Sequence, residues 1–283
     1  MRLDKFLADM GVGSRSDLKK AIRKSLVTVN GAVEKDPGAQ VSAEDRICFD
    51  GAEIRYAEQQ YYMLHKPAGV LSASEDRRQT TVVDLINLND ELVRKDLFPV
   101  GRLDKDTEGL LIITNDGPLA HQLLVPKHHI DKTYYAIVIG TVTEDDQRAF
   151  TRGIRYDEKL TALPATLRVL STGKTVAALR RALGFTATSE RLLRTRLAGP
   201  AFIGAEEPAD ITDDTLVSEV EITIQEGKFH QIKKMVKALP GGKEILYLRR
   251  ISMGALRLDP ALAPGEFRKL SEDEIRILKD ATN

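Results

Sequence analysis

The sequence lacks most of what marks a secreted or membrane-bound protein. Its 283 residues include one cysteine, Cys48, so no intramolecular disulfide can form and a reducing cytosol suits the chain. No apolar run approaches the roughly 18–20 residues that cross a bilayer. Residues 1–13 contain no uninterrupted apolar segment of the kind found in secretory signals. We therefore expect a cytoplasmic protein without a membrane partner.

The chain also lacks an excess of either charge, since Lys and Arg total 42 and Asp and Glu total 42. Net charge therefore identifies no partner, but the distribution of charge is informative. The first 30 residues carry seven basic side chains and three acidic ones. The length of the chain predicts two domains, with enough residues to bury a sizeable core.

A basic helix followed by a hairpin is predicted near the N-terminus. Residues 14–24 have apolar side chains at helical spacing after a serine that can cap a helix. Arg15, Lys19 and Arg23 recur at four-residue steps and so share one outward face. Asn30-Gly31 interrupts alternating β-branched residues, which indicates a tight hairpin turn. This combination is typical of a nucleic-acid interface, although a merely solvated helix face would carry the same charges.

The first 33 residues resemble the S-four-like RNA-binding domain, which is named after a small-subunit ribosomal protein. The resemblance rests on "RLDK" at 2–5, on Ser14-Arg15 and on the "VTVNG" hairpin at 27–31. It implies that the basic residues contact RNA, namely Arg2, Lys5, Arg15, Lys19 and Arg23. Ser25 stands where the family usually has the glycine that suits a left-handed helix end. We place this domain at residues 1–57, with its boundary in a polar connector.

Residues 58–283 are predicted to form a second domain of the α+β class. Apolar strands such as "YYMLHK" at 61–66 and "GLLIIT" at 109–114 alternate irregularly with short helices. The absence of a regular βαβ repeat favours a mixed, mostly antiparallel sheet flanked by helices. A basic helix is predicted over 228–239, with Phe229, Ile232, Met235 and Val236 on its apolar face.

A loop with several carboxylates, residues 101–117, surrounds the second of those strands. Asp104, Asp106 and Glu108 imitate the start of a calcium loop, but Asn115 stands where such a loop needs a bidentate glutamate. Paired-carboxylate hydrolysis and a plain solvated turn remain open from the residues alone. Three histidines nearby (His121, His128 and His129) lack the cysteine or acidic spacing of a metal site, so no metal is expected.

The same loop resembles the catalytic motif of the RsuA/RluB-type ribosomal RNA pseudouridine synthases. The matching residues are "GRLD" at 101–104, Thr107, "GLL" at 109–111 and "TNDG" at 114–117. Four further segments occur in the order that the family shows: "LHKPAGV", "KTY" at 132–134, "EGKFHQIKKM" at 226–235 and "LAPGEFRKLSEDEI". The resemblance covers nearly the whole chain. It implies that the protein isomerises uridine to pseudouridine in ribosomal RNA, without a cofactor.

The resemblance also implies the residues of the active site. Asp104 is the catalytic carboxylate; the sequence leaves open whether it adds covalently or abstracts a ribose proton. Tyr134 stacks on the extruded uracil, and Lys233 is the basic partner, where many relatives have arginine. Arg102 fills the space that the base vacates. Further RNA contacts are expected from three residues, Lys66, Lys132 and His230, whereas Asp106 and Glu108 are expected to be bystanders.

Other expectations concern the substrate and one unusual segment. The segment "KFHQIKK" resembles the 16S-directed, small-subunit branch of the family. The expected partner is therefore small-subunit RNA or its assembly intermediate, and the protein is expected to be a monomer. A 23S-directed enzyme and a non-catalytic ribosome-assembly factor are the alternatives. Residues 172–218 stand where the resembling family usually has a short link, and for this insertion we expect a surface position and no catalytic role.

Overall fold

The computed structural model describes residues 1–42, 44–54, 59–87, 96–158, 160–183 and 212–282. The predicted domain boundary at 57/58 and most of the predicted insertion lie outside these ranges. Among the described helices, none has the length and apolar character that crossing a membrane requires.

The N-terminal unit packs two helices against a small antiparallel sheet. Its helices are α1 (Leu3–Asp9) and α2 (Arg15–Arg23), and its strands are β1 (Val27–Val29), β2 (Ala32–Val33), β3 (Ile47–Phe49) and β4 (Ala52–Ile54). The strand order is β2-β1-β3-β4. Fully buried Leu3, Phe6, Ile22, Val27 and Ile47 form the centre of its core. The predicted helix and hairpin are both confirmed.

Local residue chemistry explains where these elements begin and turn. Ser14 caps α2 by accepting a hydrogen bond from the backbone N–H of Asp17 at 3.2 Å. Asn30 and Gly31 adopt φ values of 52° and 85°, which are the left-handed conformations of a tight hairpin turn. Ser25 takes φ 65° after α2. The serine therefore adopts the left-handed conformation that usually favours glycine, at a cost of roughly 1 kcal/mol.

The second unit is built on a sheet of nine described strands. These are β5 (Tyr61–Lys66), β6 (Phe98–Pro99), β7 (Glu108–Thr114), β8 (Lys132–Ile139), β9 (Thr166–Thr175), β10 (Leu216–Ile224), β11 (Ile245–Met253), β12 (Leu256–Arg257) and β13 (Phe267–Lys269). The helices of the described ranges are α3 (Val82–Asn87), α4 (Gly117–Leu124), α5 (Glu144–Arg152), α6 (Val176–Leu183), α7 (Gln231–Lys237) and α8 (Glu272–Asp280).

The sheet is mixed and mostly antiparallel, as the sequence predicts. Its order is β13-β5-β7-β11-β8-β10-β9, with β12 beside β11 and β6 beside β7. Only the pairing of β7 with β11 is parallel among the described strands. That pairing brings together the start of β7, which follows the loop with Asp104, and the middle of β11.

Strand β7 is buried on both of its faces, and this accounts for its continuous apolar run. Leu111 and Ile113 belong to the larger core, on the face that includes α7. Leu110 and Ile112 belong to the opposite core, which is closed by α4 and α8. Both ends of the loop at 101–107 are thus attached to strands that cannot move without opening a core.

Gly109 marks the closest approach between the two parallel strands. Its φ is 105°, and a Cβ added there would lie 2.2 Å from the carbonyl oxygen of Arg250. Only glycine fits this position, because both the conformation and the space exclude a side chain.

Two predictions need correction. The insertion predicted at 172–218 contributes its ends to the sheet, since β9 continues to Thr175 and β10 begins at Leu216. The predicted basic helix begins later than expected, at Gln231, because His230 takes a left-handed φ of 53°. Phe229 therefore lies outside the helix and is 71% exposed instead of packing on its apolar face.

Replacing Gly109 by Ala should destabilise the protein by at least about 2 kcal/mol, since the new methyl group meets backbone atoms that cannot rotate away. Gly117→Ala is the matched control, because a Cβ at Gly117 meets nothing within 4 Å. In this first turn of α4 it should change the free energy of unfolding by less than about 1 kcal/mol. Urea denaturation measures both, and equal midpoints would contradict the close approach.

Candidate active site

The loop that carries Asp104 is fixed by backbone hydrogen bonds on either side of that residue. The hydroxyl of Ser72 donates to the carbonyl of Leu103 at 2.8 Å and accepts from the N–H of Leu103 at 3.1 Å. The Leu103 side chain is buried in the larger core. The N–H of Thr107 donates to the carbonyl of Asp104 at 3.0 Å, which closes the loop into a turn. The position of Asp104 is therefore set by its neighbours.

A buried ammonium group lies beneath this loop. Lys66 ends strand β5 and is fully buried, and its Nζ donates to the carbonyls of Pro67, Lys105 and Thr107 at 3.0, 3.2 and 3.0 Å. Burial lowers the pKa of Lys66 from 10.5 to about 7, while the carboxylates of Glu108 and Asp104 oppose the shift. Lys66 thus joins the end of one central strand to the loop before the next.

Four charged or titratable side chains meet above the loop. Lys233, on α7, places its Nζ 3.1 Å from Oδ2 of Asp104 and 2.5 Å from Oδ1 of Asp106. His230 places its Nε2 3.7 Å from the other carboxylate oxygen of Asp104. The Asp104 side chain is 26% exposed and that of Lys233 is 14% exposed. One lysine therefore contacts two carboxylates and offsets only one of their two charges, and the Asp104 side chain is the more exposed of the two.

His230 is held in an uncommon backbone conformation at this point. Its φ of 53° is in the left-handed region, which costs a non-glycine residue about 1 kcal/mol or more. Desolvation lowers the pKa of His230, Asp104 opposes that shift, and the nearby Lys233 and Lys234 add to it. A lowered pKa favours the neutral imidazole near pH 7. The histidine therefore adds a hydrogen-bonding group beside Asp104 without a second fixed charge.

The described structure places Tyr134 and Arg102 in contrasting environments. Tyr134 lies on β8 and is only 7% exposed, within the larger core. Arg102 is exposed and makes no hydrogen bond or ion pair with the residues of the described ranges. Arg102 can thus reach a bound nucleic acid directly, whereas Tyr134 can offer only the small part of its ring that faces the solvent.

Two residues predicted to contact RNA, Lys66 and Lys132, are buried in the structure. Lys66 has no exposed surface and gives its three donors to carbonyls, and Lys132 is 5% exposed and donates to the carbonyl of Ile130 at 3.0 Å. Burial lowers the pKa of Lys132 to about 8, and the Arg250 charge adds to this shift. Both ammonium groups therefore donate to backbone carbonyls in the structure and expose little or no surface to a phosphate.

Two acidic residues make contacts that the sequence does not indicate. Asp106, expected to be a bystander, shares Lys233 with Asp104. Glu108 is 2% exposed and accepts a hydrogen bond from the hydroxyl of Tyr247 at 2.8 Å. Burial raises the pKa of Tyr247, and the Glu108 charge adds to that rise. The spacing of acids in the loop gives no signal of these partners, because both come from distant parts of the chain.

The basic residues of the N-terminal unit are exposed, but one has a strong internal partner. Arg15, Lys19 and Arg23 lie on one side of α2 with exposed side chains. Lys5 is exposed on α1. Arg2 binds Asp4 through two contacts, with Nε 3.1 Å from Oδ1 and Nη2 3.0 Å from Oδ2. Lys19 also lies near this carboxylate, but at 4.0 Å, so the face of α2 is the stronger candidate for phosphate contacts because Arg2 is held more tightly by Asp4.

Potential metal ligands do not form a cluster in the part of the chain that the structure describes. No three His, Cys, Asp or Glu side chains within those ranges are arranged to hold an ion. The carboxylates of Asp104 and Asp106 instead face the Lys233 ammonium.

Comparison with known protein families matches both units. Residues 1–47 match the S4 domain, and residues 60–238 match the RNA pseudouridylate synthase family. A crystal structure of a pseudouridylate synthase is 32% identical and superposes with a TM-score of 0.57, over 98% of this chain and 99% of that one.

Relatives from Bacillus subtilis and Pasteurella multocida match this chain over nearly its whole length. The RNA pseudouridine synthase YtzG of Bacillus subtilis is 38% identical over 99% of both chains. The ribosomal small subunit pseudouridine synthase A of Pasteurella multocida is 35% identical over 97% of this chain and 98% of its own. The ribosomal large subunit pseudouridine synthase B of Bacillus subtilis is 33% identical over 98% and 95%.

These matches define the class of protein. The chain belongs to the RNA pseudouridylate synthase family, since the family model covers more than half of it and the relatives cover almost all of it. It is an RNA pseudouridine synthase with an N-terminal S4 domain.

Replacing Lys66 by Met should destabilise the protein by roughly 2–4 kcal/mol at pH 7, because three buried carbonyls lose their donor. The size of the loss depends on pH. The pKa of Lys66 is about 7 in the folded state and near 10.5 in the unfolded chain, so the unfolded state binds more protons between these values. The stability of the unmodified protein should therefore rise with pH from 7 to 10.5, relative to that of Lys66→Met.

Denaturant unfolding across that pH range measures the difference. Lys105→Met is the matched control, since Lys105 is exposed and should change stability by less than about 0.5 kcal/mol. The structural role of Lys66 would be contradicted if the free energies of unfolding of the unmodified protein and of Lys66→Met differed little, or if their difference shrank as pH rises.

Proposed function

We propose that this protein converts uridine to pseudouridine in ribosomal RNA, that the target lies in small-subunit RNA, and that Asp104 is the catalytic carboxylate. Relatives that match almost the whole chain are named as pseudouridine synthases of the ribosomal small or large subunit, which supports ribosomal RNA as the substrate class. The observation that carries the proposal is the partly exposed Asp104 carboxylate, fixed 3.1 Å from the Lys233 ammonium.

The reaction needs little beyond such a carboxylate. Isomerisation breaks the bond between the sugar and N1 of uracil, turns the base, and joins the sugar to C5, with no net oxidation or hydrolysis. A carboxylate beside the base or the ribose can add to the substrate or remove a proton from it. Asp104 has the more exposed of the two carboxylates that contact Lys233, at 26% against 20% for Asp106, and its loop is fixed by backbone hydrogen bonds.

Lys233 has a role that follows from its position. When RNA covers the site, water leaves Asp104, and desolvation disfavours the charged carboxylate. An ammonium at 3.1 Å opposes this cost. Lysine provides the charge as a point, without the two-pronged geometry of arginine, and here that point charge serves two carboxylates. Asp106 thereby fixes where the Lys233 ammonium lies.

The target base must leave its stack before it reaches Asp104, at a cost of a few kcal/mol. Arg102 is exposed on the same loop, two residues before Asp104, and can occupy the space that the base leaves. Tyr134 can contact the uracil with the exposed fraction of its ring. The basic face of α2 supplies phosphate contacts farther from the reaction.

We favour small-subunit RNA over large-subunit RNA as the substrate because of the residues around Lys233. The segment "KFHQIKK" at 228–234 has lysine at positions where large-subunit enzymes tend to have arginine. The large subunit synthase of Bacillus subtilis is nearly as similar as the small-subunit relatives, so large-subunit RNA is the second candidate. A binding factor without catalysis is disfavoured by the Asp104–Lys233 pair.

Asp104→Asn should abolish the reaction. Asparagine has nearly the same shape as aspartate but no charge, so it is a poor base and nucleophile. We expect single-turnover pseudouridine formation on RNA bound by excess enzyme to fall by a factor on the order of 10⁴ or more. RNA affinity should change by less than about 1 kcal/mol, because the charge is removed and not left unpaired. Separate 16S and 23S transcripts, mapped after reaction, identify the substrate.

Asp106→Asn is the matched variant, since it removes the same charge from the same lysine. It should keep measurable pseudouridine formation at a reduced rate, because Asp104 and Lys233 remain paired. Equal rates for the Asp104→Asn variant and the unmodified protein would overturn the catalytic assignment. Modification of the 23S transcript alone would move the proposal to large-subunit RNA, and RNA binding without pseudouridine on either transcript would favour the binding factor.

Joint replacement of Arg15, Lys19 and Arg23 by Ala should weaken RNA binding through lost phosphate contacts. Each contact releases about one counterion, so the slope of log affinity against log salt should flatten by up to about three units. Turnover of bound RNA should persist, because these side chains lie on the S4 domain. Titration of labelled RNA at several salt concentrations measures the slope, and an unchanged slope would refute the basic face of α2 as a contact.

A further inference from the structure

Phe229 is the most exposed large apolar side chain in the described residues. It is 71% exposed, whereas no other exposed large apolar residue in those ranges exceeds 54%. A phenylalanine so exposed gains nothing from burial, so folding does not account for its position. It sits directly before His230, whose Nε2 lies 3.7 Å from Asp104.

The aromatic ring is held in a defined orientation. It stacks on the imidazole of His230 with a centroid distance of 3.8 Å and an interplanar angle of 19°. The turn below it is fixed by the buried Gln231, which donates to Glu226 at 2.6 Å and accepts from the Lys228 N–H at 2.9 Å. Phe229 is therefore a preorganised flat surface at the edge of the active site.

Two lysines belong to the turn that carries the ring, and one of their ammonium groups lies close to it. The Lys234 ammonium lies 5.5 Å from its centroid, and the Lys228 ammonium belongs to the same turn, paired with Glu226 at 2.9 Å. An aromatic surface between lysines is the combination with which proteins bind single-stranded nucleic acid, because bases stack on the ring while the cations bind phosphates. Bases next to an extruded uridine have lost a stacking partner and can use such a surface.

We propose that Phe229 stacks on a base that flanks the target uridine, and that it thereby helps to hold the RNA strand open at Asp104. This inference rests on the proposed function for the identity of the target. The occupant is an unpaired RNA base, since a chain that modifies RNA must admit one here. Lys234 would bind the phosphate beside it, exchanging its 4.0 Å contact with Asp157.

Three substitutions separate stacking from simple apolar contact. Phe229→Ala removes the ring, Phe229→Leu keeps apolar bulk without a flat face, and Phe229→Trp keeps a stacking surface. Base–aromatic stacking is worth enough to predict about 5- to 150-fold weaker RNA binding for the Ala and Leu variants. The Trp variant should stay within about threefold of the unmodified protein. All three should unfold at the same temperature, because the side chain is exposed.

An RNA with a single abasic nucleotide, moved along the positions that flank the target, identifies the stacked base. At one position, the abasic RNA should bind the unmodified protein as weakly as intact RNA binds the Phe229→Leu variant. The Phe229→Leu variant itself should bind that abasic RNA and intact RNA equally well. Equal affinities for the Leu variant and the unmodified protein on intact RNA would overturn the inference, as would additive losses at every flanking position.

The affinity measurement also separates this inference from the proposed function. If the unmodified protein forms no pseudouridine on either ribosomal transcript, the substrate proposal fails, and the same variants are then titrated with a short uridine-rich single-stranded RNA. Weaker binding by the Ala and Leu variants, but not by Trp, would still support stacking on Phe229. Equal binding by all four proteins would overturn it.

Discussion

A buried ammonium group ties the end of one central strand to the loop that precedes the next. Lys66 gives its three donors to the carbonyls of Pro67, Lys105 and Thr107, and the last two flank Asp106 on the loop that presents Asp104. The charge is costly to bury, as its lowered pKa shows. The contact nevertheless fixes the loop, because removing the ammonium would leave three carbonyls without a partner. The geometry of the site depends on this contact.

One lysine contacts both carboxylates above the loop. Lys233 lies between Asp104 and Asp106, so neither carboxylate is an isolated charge near the core. The arrangement links α7 to the loop across the face of the sheet, in addition to the apolar contacts of Ile232 and Met235. A change to either carboxylate shifts the lysine toward the other, and the effects of the two substitutions should therefore not be additive.

Much of the fold is predictable from local patterns. The apolar runs predict β5 and β7, and Asn30-Gly31 predicts the first hairpin, because these signals lie within a few residues. The contact between Asp106 and Lys233 joins positions 127 apart, so no spacing rule indicates it. Lys66 looks like any exposed lysine in the sequence, since its partners are backbone carbonyls. The periodicity that places Phe229 on a helix fails because His230 is left-handed.

The residues nearest to the proposed reaction differ in exposure from those that support them. Lys66 and Thr107 are buried, whereas Asp104 is partly open, and Arg102 and Phe229 are exposed. This difference in exposure suits an enzyme whose target base must leave an RNA strand. The buried contacts fix the carboxylate before binding, while Arg102 and Phe229 keep exposed surface that RNA can contact. In the proposed function, RNA then excludes water from Asp104, which would strengthen its interaction with Lys233 at the stage when the base is in place.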